Sequence, residues 1–104
     1  MTTFDDRKDA FENKFAHDAD MQFRAEARRN KLLGFWAAGL LGKTGDDIAA
    51  YATEVVASDF DEAGIEDVVR KVATDLAGKA SPEQIRAKMA ELLPIAKAQL
   101  MTEL

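Results

Sequence analysis

A chain of 104 residues provides one modest hydrophobic core and is too short for two catalytic lobes around a cleft. Its 47% apolar and 32% charged residues favour a helical bundle, because alanine, leucine, glutamate and lysine are abundant. The formal net charge of −5 argues against a general nucleic-acid binder, and the lack of cysteine excludes disulfides, thiolate metal sites and cysteine nucleophiles.

The first residues carry a narrow aromatic stripe on a highly charged background. Phe4, Phe11 and Phe15 stand at i, i+7 and i+11, among acidic and basic side chains. So thin a stripe buries little apolar surface, whereas ordering the backbone costs about 1–2 kcal/mol per residue. We therefore expect residues 1–19 to form an arm that is mobile or weakly docked in the free protein, and residues 20–104 to form a helical bundle.

Residues 21–41 are predicted to form one long helix. Arg24, Arg28 and Lys31 align at i, i+4 and i+7 on one face, with Arg29 adjacent. This basic face is either a solvated surface that pairs with acidic neighbours or an anion site for a partner carboxylate or a nucleotide phosphate. The opposite, apolar face is predicted to consist of Phe23, Ala27, Leu33, Trp36, Ala37, Leu40 and Leu41.

The end of this helix matches a loose phosphate-loop pattern. Residues 37–44 read Ala-Ala-Gly-Leu-Leu-Gly-Lys-Thr. A hydrolytic phosphate loop follows a buried parallel strand, however, and these residues end a predicted helix. Two interpretations remain: a plain turn with a solvated lysine, or weak contact of Lys43 and Thr44 with a nucleotide phosphate near the start of the next helix.

Three more helices are predicted downstream. Apolar residues recur with helical spacing from Ile48 to a helix end near Asp59, and again from Ile65 to a stop near Gly78. Ser81-Pro82-Glu83-Gln84 combines an N-cap serine, a proline at the first helical position and a capping-box glutamine. The last helix should kink at Pro94. The pattern predicts an all-α, small four-helix bundle with a flexible or weakly docked N-terminal arm.

No catalytic or metal-binding set of residues assembles in the sequence. His17 is the only histidine, and one histidine in a polar segment is an incomplete metal site. Asp59 and Asp61 begin like a calcium loop, but Ala63 and Arg70 occupy two of its ligand positions. We expect no enzymatic activity and no bound metal.

A resemblance to a known family is carried by three runs: Phe-Asp-Asp-Arg at 4–7, Phe-Glu-Asn-Lys-Phe-Ala at 11–16, and Ala-Arg-Arg-Asn-Lys-Leu-Leu-Gly-Phe-Trp-Ala-Ala at 27–38. Together with residues 51–56 and 85–89, they resemble the alphaproteobacterial zeta subunit, an inhibitor of the F-type ATP synthase. The run at 27–38 is the most specific part. The similarity extends over nearly the whole chain.

This resemblance implies a regulatory subunit that blocks ATP hydrolysis without catalysing a reaction. Its N-terminal arm would insert into the catalytic head of the synthase, formed by the alpha, beta and gamma subunits, at a catalytic interface near the rotor. The chain would then be cytoplasmic and peripheral to the inner membrane, with no direct insertion, since it has neither a signal peptide nor a spanning apolar stretch. The partner-binding residues expected in the arm are Phe4, Arg7, Phe11, Lys14 and Phe15.

Members of the family are also associated with ADP or ATP binding, which implies a regulatory nucleotide and no required cofactor. The candidate nucleotide-binding residues are Arg24, Arg28, Lys31, Lys43 and Thr44. A small nucleotide-sensing helical domain is therefore the alternative function. A further alternative is an interaction module whose arm recognises another partner.

Overall fold

Residues 18–59 and 64–103 are described by a computed structural model of the chain. Helix α1 spans Ala19–Leu40, α2 spans Asp46–Ala57, α3 spans Glu66–Leu76 and α4 spans Pro82–Thr102. No strand occurs within these two ranges, which confirms the all-α prediction. The expected arm falls outside the described residues, except for Asp18 and Ala19.

The helix ends follow from local side-chain chemistry. The Asp18 carboxylate caps α1 by accepting hydrogen bonds from the backbone N–H groups of Asp20 and Met21, at 3.1 and 3.2 Å. At α4 the predicted capping box is present: the Ser81 hydroxyl accepts from the Gln84 N–H, and the Gln84 side chain accepts from the Ser81 N–H. From this start α4 continues past Pro94 to Thr102.

Helix α1 is the central element, since it packs against each of the other three helices. Most buried side chains form one core, and a smaller cluster of Met21, Ala25 and Leu100 closes the end where α1 begins. No described helix is long and apolar enough to cross a membrane. The main core comprises Leu33, Ala37, Ala38, Tyr51, Val55, Val68, Val69, Val72, Leu76, Ala80, Ile85 and Met89.

The predicted apolar face of α1 is partly wrong. Leu33 and Ala37 are buried as expected, but Phe23 is 70% exposed and Leu40 is 39% exposed. Arg29, which was assigned to the opposite, basic face, is only 6% exposed. The reason is close helix packing: small residues of α1 face α2, while the large Phe23 lies in the first turns, outside the smaller cluster.

Gly34 shows how close the packing of α1 and α2 is. A Cβ atom added at Gly34 would lie 2.6 Å from the Cα of Ala52, well inside van der Waals contact. Only glycine therefore permits this approach of the two backbones. The contact fixes which face of α1 points inward, and consequently which face remains at the surface.

Candidate functional site

The surface of α1 forms one wall of an open groove with a volume of about 420 Å³. We call this the basic groove. Its floor and sides are contributed by three helices and the residue that follows α4, so no single segment of sequence contains it. The lining residues are Phe23, Arg24, Ala27, Arg28, Lys31, Val56, Leu100 and Glu103.

The structure brings Arg24, Arg28 and Lys31 together as the sequence predicts, but their partners differ. Arg28 is anchored: its guanidinium donates to the Gln99 side chain at 3.0 Å and lies 2.8 Å from a carboxylate oxygen of Glu103. Arg24 pairs with Asp20 at 3.0 Å in an exposed contact of small energetic value.

Lys31 contributes the most available cation of the groove. Its ammonium lies 5.8 Å from the ring centre of Phe35, and no carboxylate of the described residues lies within 4.0 Å of it. The pairing of the basic face with acidic neighbours is therefore present for Arg24 and Arg28, and the anion site stays a prediction. Two of the cations pair with acids, and the set as a whole still presents excess positive charge beside an exposed aromatic ring.

The other side of Phe23 and Ala27 is acidic. A small cavity of about 50 Å³ lies there, and its wall includes Glu26 and Asp59. The Glu26 carboxylate accepts a hydrogen bond from the Gln22 side chain at 3.2 Å. The apolar strip formed by Phe23 and Ala27 thus runs between a basic flank and an acidic flank.

A buried polar cluster supports the acidic flank. Arg29 donates from Nε to the Asn30 side-chain oxygen at 3.1 Å, and the Asn30 amide donates to Asp59 at 3.1 Å. Burial lowers the pKa of the Arg29 guanidinium, and the nearby carboxylates of Glu26 and Asp59 oppose that shift. The sequence contains one signal of this burial. Arg29 lies four residues from both Ala25 and Leu33, so it shares a helix face with two apolar residues.

Lys43 lies in a different place from the basic groove. It borders a cavity of about 260 Å³ together with Tyr51, Glu54, Lys71 and Asp75. The Lys43 and Lys71 ammonium groups lie 5.6 and 5.4 Å from the centre of the Tyr51 ring. The five nucleotide candidates therefore do not form one site.

The charges around this second cavity largely neutralise one another. Lys71 lies 2.9 Å from Asp75 and 3.3 Å from Glu54, and the Tyr51 hydroxyl donates to Asp75 at 2.9 Å. Burial, followed by the bond to Asp75, raises the pKa of Tyr51 above its usual value. Burial opposes ionisation of Asp75, but the hydrogen bonds from Lys71 and Tyr51 outweigh it and lower the pKa of that carboxyl.

The segment that resembles a phosphate loop is a helix end. The Lys43 N–H donates to the Ala38 carbonyl at 3.0 Å, and the Thr44 carbonyl accepts from the Asp47 N–H at 3.2 Å. Helix α2 has no side-chain cap, and Asp46 and Asp47 occupy its first turn. These two carboxylates repel an anion at the helix start, so the local chemistry favours the plain turn.

The five residues predicted to bind a partner, at positions 4, 7, 11, 14 and 15, lie outside the described residues. So does His17. Within residues 18–59 and 64–103, no group of three or more histidine, cysteine, aspartate or glutamate side chains is arranged to hold a metal ion.

Comparison with known proteins places these features in context. A family model described as ATPase inhibitor subunit zeta matches residues 1–99. A protein solved by solution NMR is 62% identical, covers 81% of this chain and 99% of its own, and superposes with a TM-score of 0.76. No curated protein matches the sequence significantly.

Proposed function

Because the chain belongs to the ATPase inhibitor subunit zeta family, we propose that it inhibits ATP hydrolysis by an F-type ATP synthase by inserting its N-terminal arm into the catalytic head. The observation that carries the proposal is the extent of the family match, which begins at residue 1 and so includes the arm. The partners are the alpha, beta and gamma subunits, and the chain acts by binding. Its location is then at the cytoplasmic side of the inner membrane, through the synthase.

The mechanism follows from the sequence of the arm. Phe4, Phe11 and Phe15 fall on one side of a helix, so an amphipathic helix can place all three rings in a groove between synthase subunits. Arg7 and Lys14 then pair with carboxylates at the rim. An arm wedged beside the rotor stops the rotation that hydrolysis requires, while the folded bundle remains outside.

The proposal is tested by the ATPase activity of the isolated synthase head with added chain. Replacing Phe4, Phe11 and Phe15 with alanine is expected to weaken inhibition about a thousandfold or more, since burying each ring contributes about 1.5–3 kcal/mol. The measured quantity is the chain concentration that halves ATPase activity.

A matched control removes apolar surface from the bundle instead of the arm. Leu40→Ala with Ile95→Ala removes two exposed apolar side chains, 39% and 45% exposed, and should leave inhibition unchanged. Equal inhibition by the native chain and the triple phenylalanine variant would contradict the arm mechanism. No inhibition by the native chain, with active enzyme confirmed, would contradict the function itself.

A second function, binding of ADP or ATP as a regulatory ligand, is favoured by the basic groove over the turn at Lys43 and Thr44. In the groove, Arg24, Arg28 and Lys31 can bind phosphates, and the exposed Phe23 ring offers an apolar face to a base. At the turn, both carboxylates of the cavity already pair with Lys71, and the first turn of α2 is acidic. The groove is therefore the proposed site.

Nucleotide binding is tested by titrating ADP into the isotope-labelled chain and following backbone amide resonances. We expect shifts concentrated between Phe23 and Lys31, and about tenfold weaker binding in Lys31→Gln, because a charge-assisted contact contributes about 1.5–3 kcal/mol. Lys43→Gln is the matched control and should bind as the native chain does. Shifts centred on Lys43 and Thr44 would place the nucleotide at the turn instead, and no shift anywhere would exclude the function.

A further inference from the structure

Arg28 is the least exposed of the three cations that line the basic groove, and an acid already occupies it. Its side chain is half-buried, whereas Arg24 and Lys31 are exposed. A guanidinium that is partly shielded from water attracts an anion more strongly, because solvent and salt screen it less. The acid is Glu103, whose two carboxylate oxygens lie 2.8 and 2.9 Å from Nη2 of Arg28. The strongest anion-binding group of the groove is therefore satisfied from within the chain.

Its own helix does not favour Glu103 at this position. Glu103 is the C-cap residue of α4, and its backbone N–H donates to the Leu100 carbonyl at 3.1 Å. The carboxyl end of a helix carries partial negative charge, which repels a glutamate side chain there. The last turn of α4, which ends at Thr102, contains no basic residue to offset that repulsion. Arg28 supplies the cation from α1, so the Glu103 carboxylate is held in place by Arg28 and not by α4.

Gln99 orients Arg28 independently of Glu103. The Gln99 side-chain oxygen accepts a hydrogen bond from Nη1 of Arg28 at 3.0 Å. This acceptor is neutral, so it fixes the direction of the guanidinium without cancelling its charge. When the Glu103 carboxylate moves away, Nη2 becomes available to another anion while Nη1 stays bound. Arg28 is therefore a pre-positioned anion-binding group with a removable carboxylate on one of its nitrogens.

We propose that Glu103 is an internal competitor for phosphate in the basic groove, an inference that rests on the proposed binding of nucleotide there. Glu103 and Arg28 both line the groove, so a bound phosphate and the Glu103 carboxylate compete for the same nitrogen. A phosphate group carries about −1.5 to −2 charges at pH 7 and three acceptor oxygens, whereas the carboxylate carries one charge. The phosphate therefore displaces the carboxylate, and the apparent affinity is reduced by the fraction of molecules in which Glu103 occupies Arg28.

The competition also makes the groove selective for ligands of high negative charge. A ligand with a single carboxylate gains little at Arg28, because it replaces one carboxylate with another. A diphosphate or triphosphate gains more charge than the displaced Glu103 gives up, and it reaches Arg24 and Lys31 as well. The ligand class that the groove favours is therefore a polyphosphate.

The competition is measured as the dissociation constant of ADP for the full chain and for Glu103→Gln, which removes the charge and keeps the shape of the side chain. We expect the variant to bind ADP about threefold to fivefold more tightly, since an ion pair with a half-exposed partner is held in most but not all molecules. Inorganic pyrophosphate, which has no base, should show the same gain.

Glu91→Gln is the matched control on the same helix. It changes the net charge equally, and its side chain is 59% exposed, compared with 52% for Glu103. The Glu91 carboxylate pairs with Lys88 at 2.6 Å, and neither residue lines the basic groove. This variant should bind ADP and pyrophosphate as the native chain does. A gain equal to that of Glu103→Gln would mean that net charge alone sets the affinity, which overturns the proposal.

Arg28→Gln separates competition for the guanidinium from simple repulsion of the ligand by Glu103. In the Arg28→Gln background, Glu103→Gln should give no gain in affinity, because the group for which the carboxylate competes is absent. A gain of the same size in that background would show that Glu103 only repels the ligand, and it would overturn the proposal.

Release of Glu103 is observed directly through the side-chain carboxyl carbon resonance of that residue in the isotope-labelled native chain. During the ADP titration this resonance should move with the same midpoint as binding, while that of Glu91 stays in place. A Glu103 resonance that does not move at saturating ADP would overturn the proposal.

The two probes distinguish failure of the competition from failure of nucleotide binding. Equal affinities of the native chain and Glu103→Gln for both probes would overturn the competition and leave nucleotide binding in the groove intact. A gain with pyrophosphate but no binding of ADP would support the competition, contradict the nucleotide function and identify free polyphosphate as the ligand. No binding of either probe to any of these chains would contradict both proposals.

Discussion

Gly34→Leu is expected to lower the free energy of unfolding by about 3 kcal/mol or more. Even the first side-chain atom would lie 2.6 Å from the Cα of Ala52, and a backbone atom cannot move aside as a flexible side chain can. Helices α1 and α2 must therefore separate, which disturbs the largest interface in the bundle. Urea unfolding followed by circular dichroism measures the effect.

Gly39→Leu is the control on the same helix. No atom lies within 4 Å of a Cβ placed at Gly39, so leucine meets no obstacle there and should raise helix stability by about 0.5–1 kcal/mol. The two substitutions are chemically identical and opposite in expected sign. Similar effects of both would show that helix propensity, and not the approach of α1 to α2, decides the outcome.

Asp59→Ala should destabilise the bundle by about 2–3 kcal/mol. It removes the acceptor of the Asn30 amide and a counter-charge of Arg29, a guanidinium that is only 6% exposed. The Asn30 amide then loses its hydrogen-bond acceptor, and the buried Arg29 guanidinium loses a nearby negative charge. Each loss lowers the free energy of unfolding. The free energy of unfolding is again the measured quantity.

Adding Arg29→Met to Asp59→Ala should recover part of that loss, because methionine fills the space without a charge. Asp47→Ala, at an exposed position in the first turn of α2, is the matched acidic control and should cost less than about 1 kcal/mol. A double variant no more stable than Asp59→Ala alone would mean that the burial of the Arg29 charge does not set the cost.

Much of the fold is readable from sequence because helix boundaries depend on residues close together in the chain. The capping box at Ser81 and Gln84 occupies four consecutive positions, so its two hydrogen bonds follow from local backbone geometry. The buried stripe of α3, which includes Val68, Val72 and Leu76, is likewise a matter of helical spacing.

The orientation of α1 is not readable in the same way. An aromatic residue such as Phe23 is normally assigned to a core and an arginine to the surface, and for α1 that assignment is wrong at Phe23 and Arg29. The inward face is instead chosen by where α2 and α4 approach. Small residues permit that approach. The approach buries Arg29, and the Asp59 carboxylate compensates part of its charge.

The sequence by itself therefore determined the four helices, the capping box at Ser81 and Gln84, the resemblance to an inhibitor family and the basic spacing of Arg24, Arg28 and Lys31. Only the tertiary structure decided that these cations line a groove with Val56 and Leu100, and that Lys43 lies elsewhere. The physical reason is the separation along the chain of the residues that interact. Helix formation and capping depend on residues within about four positions of one another, whereas a groove exists only where helices distant in sequence pack side by side.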